Sequence, residues 1–286
     1  MKKILVTGAN GQLGQCLQKI SSQFEEFEFI FTDSETLDIT NKEEVNDFFW
    51  QNAPDFCINA AAYTAVDLAE TDIEKAFLVN ADGTENLAEA CAENNAQFIH
   101  VSTDYVFDGE NNLAYTEEDF TNPLGVYGAS KLAGDELALE VNPCSVILRT
   151  SWVYSEFGKN FVKTMLNLFA TKDELNIVAD QFGQPTNAND LAEAIMKIIK
   201  SEKITPGIFN FSNLGRISWF DFAEKIAELS DAKIKLNAIE TSQYPTPAKR
   251  PKNSVLDLDK ISKTYAIQLK SWEESLEDCV QILQNN

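Results

Sequence analysis

The stretch KKILVTGANGQLG, residues 2–14, decides the fold. Its first part, Lys2–Thr7, is an aliphatic run that reads as a buried strand. Gly8, Gly11 and Gly14 follow at every third position, where a helix near Gln12–Ser21 begins. Glycines there let the chain turn tightly from strand to helix, and they let a pyrophosphate approach the free amides and positive end of that helix. The spacing is Gly-x-x-Gly-x-x-Gly rather than Gly-x-Gly-x-x-Gly. A turn that binds nothing would tolerate the same glycines, so the chain around it has to decide.

Working outward, the chain alternates short strands with helical periods. FEFIFTD ends a second strand at Asp33, a helix follows over 41–51, and DFCINAA is a third strand. A helical period covers 72–94, QFIHVST is a fourth strand, a helix runs from beyond Pro123 through Glu140, and SVILRT is a fifth strand. This alternation predicts an α/β fold, a Rossmann-type doubly wound parallel sheet with crossover helices on both faces. From Ser151 the rhythm loosens into helices over 160–170, 189–201 and 218–229, with short strands at 175–178 and 207–212. We therefore expect residues 1–150 to form a dinucleotide-binding domain and 151–286 mainly a smaller α/β substrate domain, with segments returning to the first.

Composition removes several function classes. The chain carries 23 basic and 45 acidic residues, a net charge of −22, which repels nucleic acid and anionic membrane surfaces. Its one histidine, His100, rules out a catalytic His dyad, a Ser-His-Asp triad or a multi-His metal cluster within one chain. Five dispersed cysteines with no Cys-x-x-Cys pair argue against a disulfide framework or structural zinc and suit a reducing setting. The apolar run after the N-terminal lysines is too short for a secretory signal, and no stretch approaches the roughly 18 apolar residues of a membrane helix. A cytoplasmic protein is the expectation.

Asp33, at the end of the second strand, is where a carboxylate accepts hydrogen bonds from an adenosine ribose and repels a 2′-phosphate. No Lys or Arg lies between Lys19 and Lys42, so NADH should serve at least as well as NADPH. A turn-opening aspartate is the competing account of Asp33.

YGASKLAG places Tyr127 and Lys131 four apart at the start of a helix, on one face. A free tyrosine, with a pKa of about 10, is a poor proton donor or acceptor near neutrality until a cation stabilises its phenolate, and Lys131 supplies that cation. VSTDYVFDG sets Ser102, Thr103 and Asp104 at the carboxyl end of the fourth strand, where ligands bind in such sheets. A Thr103 hydroxyl would orient a carbonyl while Tyr127 donates a proton and a nicotinamide delivers hydride. A surface tyrosine is the plainer alternative. The segment AKRPK gathers Lys249, Arg250 and Lys252 in an otherwise acidic chain, and Arg250, one of three arginines, suits a substrate diphosphate better than a solvated surface.

Together these stretches, with INAAAYTAVDLAE, LRTSWVY, DQFGQPT and KRPKNSVLD, resemble the extended short-chain dehydrogenase/reductase family over essentially the full length. The resemblance implies catalysis by Thr103, Tyr127 and Lys131. It implies cofactor contacts from Gly8, Gly11, Gln12, Leu13, Gly14, Asp33, Asp38, Ile39, Ala62, Tyr63 and Thr64, besides Tyr127 and Lys131. It places substrate contacts near Asp104, Tyr105 and Trp152, to which residue chemistry adds Thr103 and Arg250; an aromatic face suits a deoxy sugar, and interdomain packing is the other account of Trp152. The implied reaction is NADH- or NADPH-dependent reduction of a keto dTDP-sugar, last in the making of dTDP-L-rhamnose. Some relatives hold magnesium at a dimer interface through a glutamate where this chain has Cys16, so no metal is carried over and a monomer or weak homodimer is expected. Two rivals share the fold. A dehydratase or epimerase would retain its cofactor, but Thr103-Asp104-Tyr105 lacks the second acid of a dehydrating Thr-Asp-Glu. A non-catalytic nucleotide-binding regulatory subunit would not need Tyr127 and Lys131.

Overall fold

The computed structural model describes residues 1–285. Its centre is a parallel sheet of six strands: β1 (Lys2–Thr7), β2 (Phe27–Phe31), β3 (Phe56–Asn59), β4 (Gln97–Thr103), β5 (Val146–Thr150) and, from far along the chain, β10 (Gly207–Asn210). The spatial order is β10-β5-β4-β3-β1-β2. Chain direction of travel therefore reverses between β1 and β3, and in open α/β sheets ligands bind outside the carboxyl ends at that switch point.

The strands read as unbroken apolar runs because both faces are covered. Ile4, Val6, Ile58, Ile99, Val146 and Leu148 face one layer, formed by α1 (Gln12–Ser21) and α8 (Ala188–Ile199). Leu5, Cys57, Phe98 and Ile147 alternate with them toward the other layer, formed by α2 (Lys42–Asn52), α5 (Gly83–Glu93) and α6 (Val126–Val141). Short helices α3 (Val66–Ala69) and α4 (Ile73–Phe77) lead into α5. The expected helix over 72–94 is interrupted by a π-helical turn at Leu78–Asp82. That turn aims Asn80 away from the helical ladder: its Oδ1 accepts from Tyr63 N at 2.8 Å, and its Nδ2 donates to Ser130 Oγ at 2.9 Å.

The remaining elements, β6 (Val153–Tyr154), α7 (Phe161–Phe169), β7 (Glu174–Val178), β8 (Phe182–Gly183), β9 (Thr186–Asn187), β11 (Ile217–Ser218), α9 (Trp219–Leu229), β12 (Lys235–Ile239), α10 (Asp259–Tyr265) and α11 (Trp272–Asn285), lie beyond β5. A separate core joins Tyr154, Val162, Phe222, Trp272 and Leu276, and β7 pairs in parallel with β12. Two of the later elements pack on the main sheet and its helices: β10 extends the sheet along β5, and α8 packs on α1. Asp190 on α8 ties this junction, accepting from Lys270 Nζ at 2.8 Å, Asn213 Nδ2 at 2.8 Å and Ser275 Oγ at 2.5 Å.

Candidate active site

A cleft of about 550 Å³ opens at the carboxyl edge of the sheet, between the loops after β1, β3 and β4 and the segment beyond β5. Its floor is the glycine turn. Gly8 sits at φ +67°, and a Cβ there would lie 2.6 Å from Ala61 N; a Cβ on Gly14 would lie 2.4 Å from Gly8 O. No side chain fits, so turn and helix pack against each other directly. Gly11, at the N-cap of α1, offers no side-chain acceptor, and the first helical turn carries no acid. Amides left free in this way, at the positive end of a helix, fit a pyrophosphate.

Gly11, Gln12, Leu13, Ala62, Thr64, Thr103, Asp104, Tyr105, Tyr127, Lys131 and Trp152 all line the cleft. Gly8 and Gly14 lie beneath it as packing contacts. Asp33, Asp38, Ile39 and Tyr63 stand on neighbouring loops outside its lining. Asp33 Oδ1 accepts from Thr36 Oγ1 at 2.9 Å and from Glu35 N at 3.1 Å, an Asx turn, while its Oδ2 accepts from Asn10 Nδ2 at 2.6 Å. Asp38 accepts from Thr40 Oγ1 at 2.7 Å, and Ile39 is buried against the place a Gly83 side chain would occupy. Arg250 also lies outside the lining, holding Asp67 with Nη1 and Nη2 at 2.9 and 2.8 Å. That pair keeps the Asp67 carboxyl below its usual range.

Tyr127 is set by the first turn of α6, and Tyr105 meets it edge-on at 5.8 Å. Burial pushes the Tyr127 phenol up to about 12, with the Thr103 hydroxyl beside it pulling the other way. Lys131, 1% exposed, turns into the sheet: Nζ donates to Val101 O at 2.7 Å and stands 3.0 Å from His100 Nε2. Burial brings Lys131 down to about 8, against the opposing pull of Asp135. Thr103 Oγ1 donates to Asp104 Oδ1 at 3.0 Å, and Asp104, buried with Oδ2 unpartnered, is raised to about 7.

Trp152 stands at the cleft and in the packing beside it. It lines the cleft, and it stacks on Trp219 at 3.5 Å and 7° while filling the space over Gly183. Its φ of +47° is a left-handed conformation that bulky residues rarely adopt, and such strain persists where the surroundings fix it. The sequence reading missed Asn10, Trp219 and Lys159, which line the same cleft. It missed Asn80 too, whose signal is geometric, arising only once the π turn exists. Trp219 follows a Ser218 cap with Asp221 three residues on, a capping-box signature visible in the sequence.

The family model described as RmlD substrate binding domain matches residues 1–285. A dTDP-4-dehydrorhamnose reductase of Aggregatibacter actinomycetemcomitans is 45% identical over 288 residues, covering 97% of this chain and 98% of the relative. The crystal structure of a dTDP-4-dehydrorhamnose reductase from Clostridium acetobutylicum superposes with a TM-score of 0.94 at 43% identity, over 99% of both chains. The enzyme of that name from Bacillus anthracis, solved in complex with NADP, gives 0.95 at 38% identity, over 99% of this chain and 100% of that one.

Proposed function

The chain belongs to the RmlD substrate binding domain family, and on that premise we infer that it is an NAD(P)H-dependent oxidoreductase reducing dTDP-4-dehydro-β-L-rhamnose to dTDP-β-L-rhamnose, the final step of dTDP-rhamnose synthesis. The observation that carries this reading is the meeting, in one cleft, of an acid-free helix N-terminus over a glycine turn with Thr103, Tyr127 and Lys131.

When bound, the reduced nicotinamide supplies hydride to C4 of the sugar. Gly11, Gln12, Leu13 and the first amides of α1 would hold its pyrophosphate, Asp33, Asp38 and Ile39 would serve its adenosine, and Ala62, Tyr63 and Thr64 would contact it along the β3 edge. Tyr127, a phenol that is protonated at neutral pH and that burial makes harder still to ionise, donates its phenolic proton to the C4 oxygen. Lys131 faces the phenolate that remains. Thr103 orients the C4 oxygen after its hydroxyl turns from Asp104. Tyr105 and Trp152 give the deoxy sugar its aromatic walls, and Tyr105 occupies the place where a dehydrating site needs a second carboxyl. Arg250 reaches the substrate diphosphate by leaving Asp67.

The reading includes a cytoplasmic enzyme, monomeric or weakly dimeric, whose partner is a dTDP-sugar and neither nucleic acid nor membrane. The net charge of −22 and the unpaired cysteines support it. Among the described residues no helix is long and apolar enough to cross a membrane. Mixing the protein with dTDP-4-dehydro-L-rhamnose and NADH or NADPH, and following nicotinamide oxidation and the sugar product, tests substrate and reaction together. Product formed without net nicotinamide oxidation would overturn it.

A further inference from the structure

The reductase chemistry leaves His100, the chain's one histidine, without a task. It is fully buried on β4, its ring lying along Phe98 at 6.1 Å. Its hydrogen bonds fix where its proton sits. Ala61 N donates to Asn59 Oδ1 at 3.2 Å and Thr7 Oγ1 donates to the same oxygen at 2.8 Å, which orients the Asn59 amide. Asn59 Nδ2 therefore donates to His100 Nδ1 at 3.0 Å and to Thr84 Oγ1 at 3.3 Å, whose own proton goes to Asn80 O at 2.8 Å. With Nδ1 accepting, a neutral imidazole carries its proton on Nε2. Burial, then the nearby Lys131 charge, holds His100 neutral by pushing it well below the usual histidine range.

That Nε2–H points at Lys131 Nζ, 3.0 Å away. An imidazole N–H and an ammonium are both donors, so the contact attracts only when Lys131 is a neutral amine whose lone pair accepts. A second acceptor stands within reach: Asp135 Oδ1, buried without a hydrogen-bond partner, is 3.8 Å from Nε2. The titratable and charged groups around Lys131 are His100 from β4, Tyr127 and Asp135 from α6, Asp104 after β4, and Arg149 from β5, whose Nε lies 3.4 Å from Asp135 Oδ2.

We infer that His100 is a positioning residue that sets the charge of Lys131, its Nε2–H favouring the neutral amine and swinging to Asp135 Oδ1 when Lys131 takes up a proton. The inference rests on the reductase reading, in which Lys131 serves Tyr127. After Tyr127 gives its proton to the sugar oxygen, Lys131 returns one to the phenolate and becomes an amine, which His100 steadies until a solvent proton converts it to ammonium again. Burial brings Lys131 down to about 8, so amine and ammonium are both within reach near neutral pH.

The test titrates Lys131 itself by NMR of the protein carrying ¹³Cε-lysine, the resonance being assigned with Lys131→Met. His100→Asn keeps an acceptor for Asn59 and removes the Nε2–H; His100→Gln offers Lys131 an acceptor instead. In either folded variant the Lys131 midpoint should rise by about one pH unit, and the matching limb of the kcat/KM profile should move with it. A lower kcat with the Lys131 midpoint unmoved in both variants would make His100 merely structural and overturn the inference. The titration needs no substrate, so a raised midpoint in a protein that fails to reduce the dTDP-sugar would uphold His100 and sink the reductase reading alone.

Discussion

At the scale of single residues, the arrangement separates groups that react from groups that hold them. Burial raises the Tyr127 phenol, and Lys131, which lines the same cleft, donates its Nζ to Val101 O. Tyr127→Phe keeps the ring that packs on Tyr105 and removes only the donor. We expect kcat to fall on the order of a hundredfold or more, within the range of general acid catalysis, with cofactor Kd and melting temperature unchanged. Near-normal kcat would show that another group protonates the sugar. Arg250 is bound bidentately by Asp67, so its prediction has two arms. Arg250→Ala should raise KM for the dTDP-sugar about tenfold, the worth of one charge-assisted contact, and flatten its salt dependence. Asp67→Asn, which frees the guanidinium, should lower that KM or leave it. If both substitutions raise KM equally, the ion pair shapes the loop and Arg250 does not touch phosphate.

At the scale of elements, what was legible in the sequence was whatever local chemistry dictates. Five strands of the main sheet and the helices between them follow from aliphatic runs and periodicity, and the glycine turn from three glycines at one strand end. The short strands β6, β8, β9 and β11 were not legible, because two-residue pairings are set by tertiary contact and leave no period to read. Helix α11 was legible and overlooked. Ser271 and Glu274 form a reciprocal cap, Ser271 N donating to Glu274 Oε2 at 3.1 Å and Glu274 N to Ser271 Oγ at 3.2 Å, and Ser-x-x-Glu before an apolar period announces it. The site divides the same way: Thr103, Tyr127 and Lys131 are motif residues, whereas His100 and Asn80 matter only once β3, β4 and the π turn bring them together. The glycine turn gives the prediction at this scale. A methyl on Gly14 would meet Gly8 O at 2.4 Å, so Gly14→Ala must push α1 away from the turn. Cofactor Kd, read by nicotinamide fluorescence, should rise at least about tenfold, and α8, packed on α1, should loosen with it. An unchanged Kd would mean that the turn has no part in phosphate binding.

At the scale of the whole molecule, acidity outside and buried carboxyls inside act in the same direction above neutrality. The net charge of −22 repels itself and destabilises the compact state, an effect that salt screens. Asp104 adds a term that salt hardly reaches. Its folded-state pKa of about 7 lies above the ordinary value for an aspartate, because burial disfavours the charge. Between roughly pH 4 and 7 the folded chain thus keeps a proton that the unfolded chain has released, and linkage makes stability fall as pH rises through that window. Asp67 and Glu156 are shifted the other way by Arg250 and Lys19, so their contribution is present at neutrality and lost only as pH falls through the acid range. The melting temperature should therefore peak in mildly acidic buffer and decline toward pH 8. Asp104→Asn removes the titrating group at constant size. It should melt about 2 °C or more above the parent at pH 8, with a smaller difference at pH 5, and this gap should survive added salt while the decline common to both proteins shrinks. The stabilised variant should also turn over more slowly, since Thr103 Oγ1 rests on that carboxyl. Parallel pH declines in parent and variant would assign the whole effect to surface repulsion and leave Asp104 ionised in its pocket.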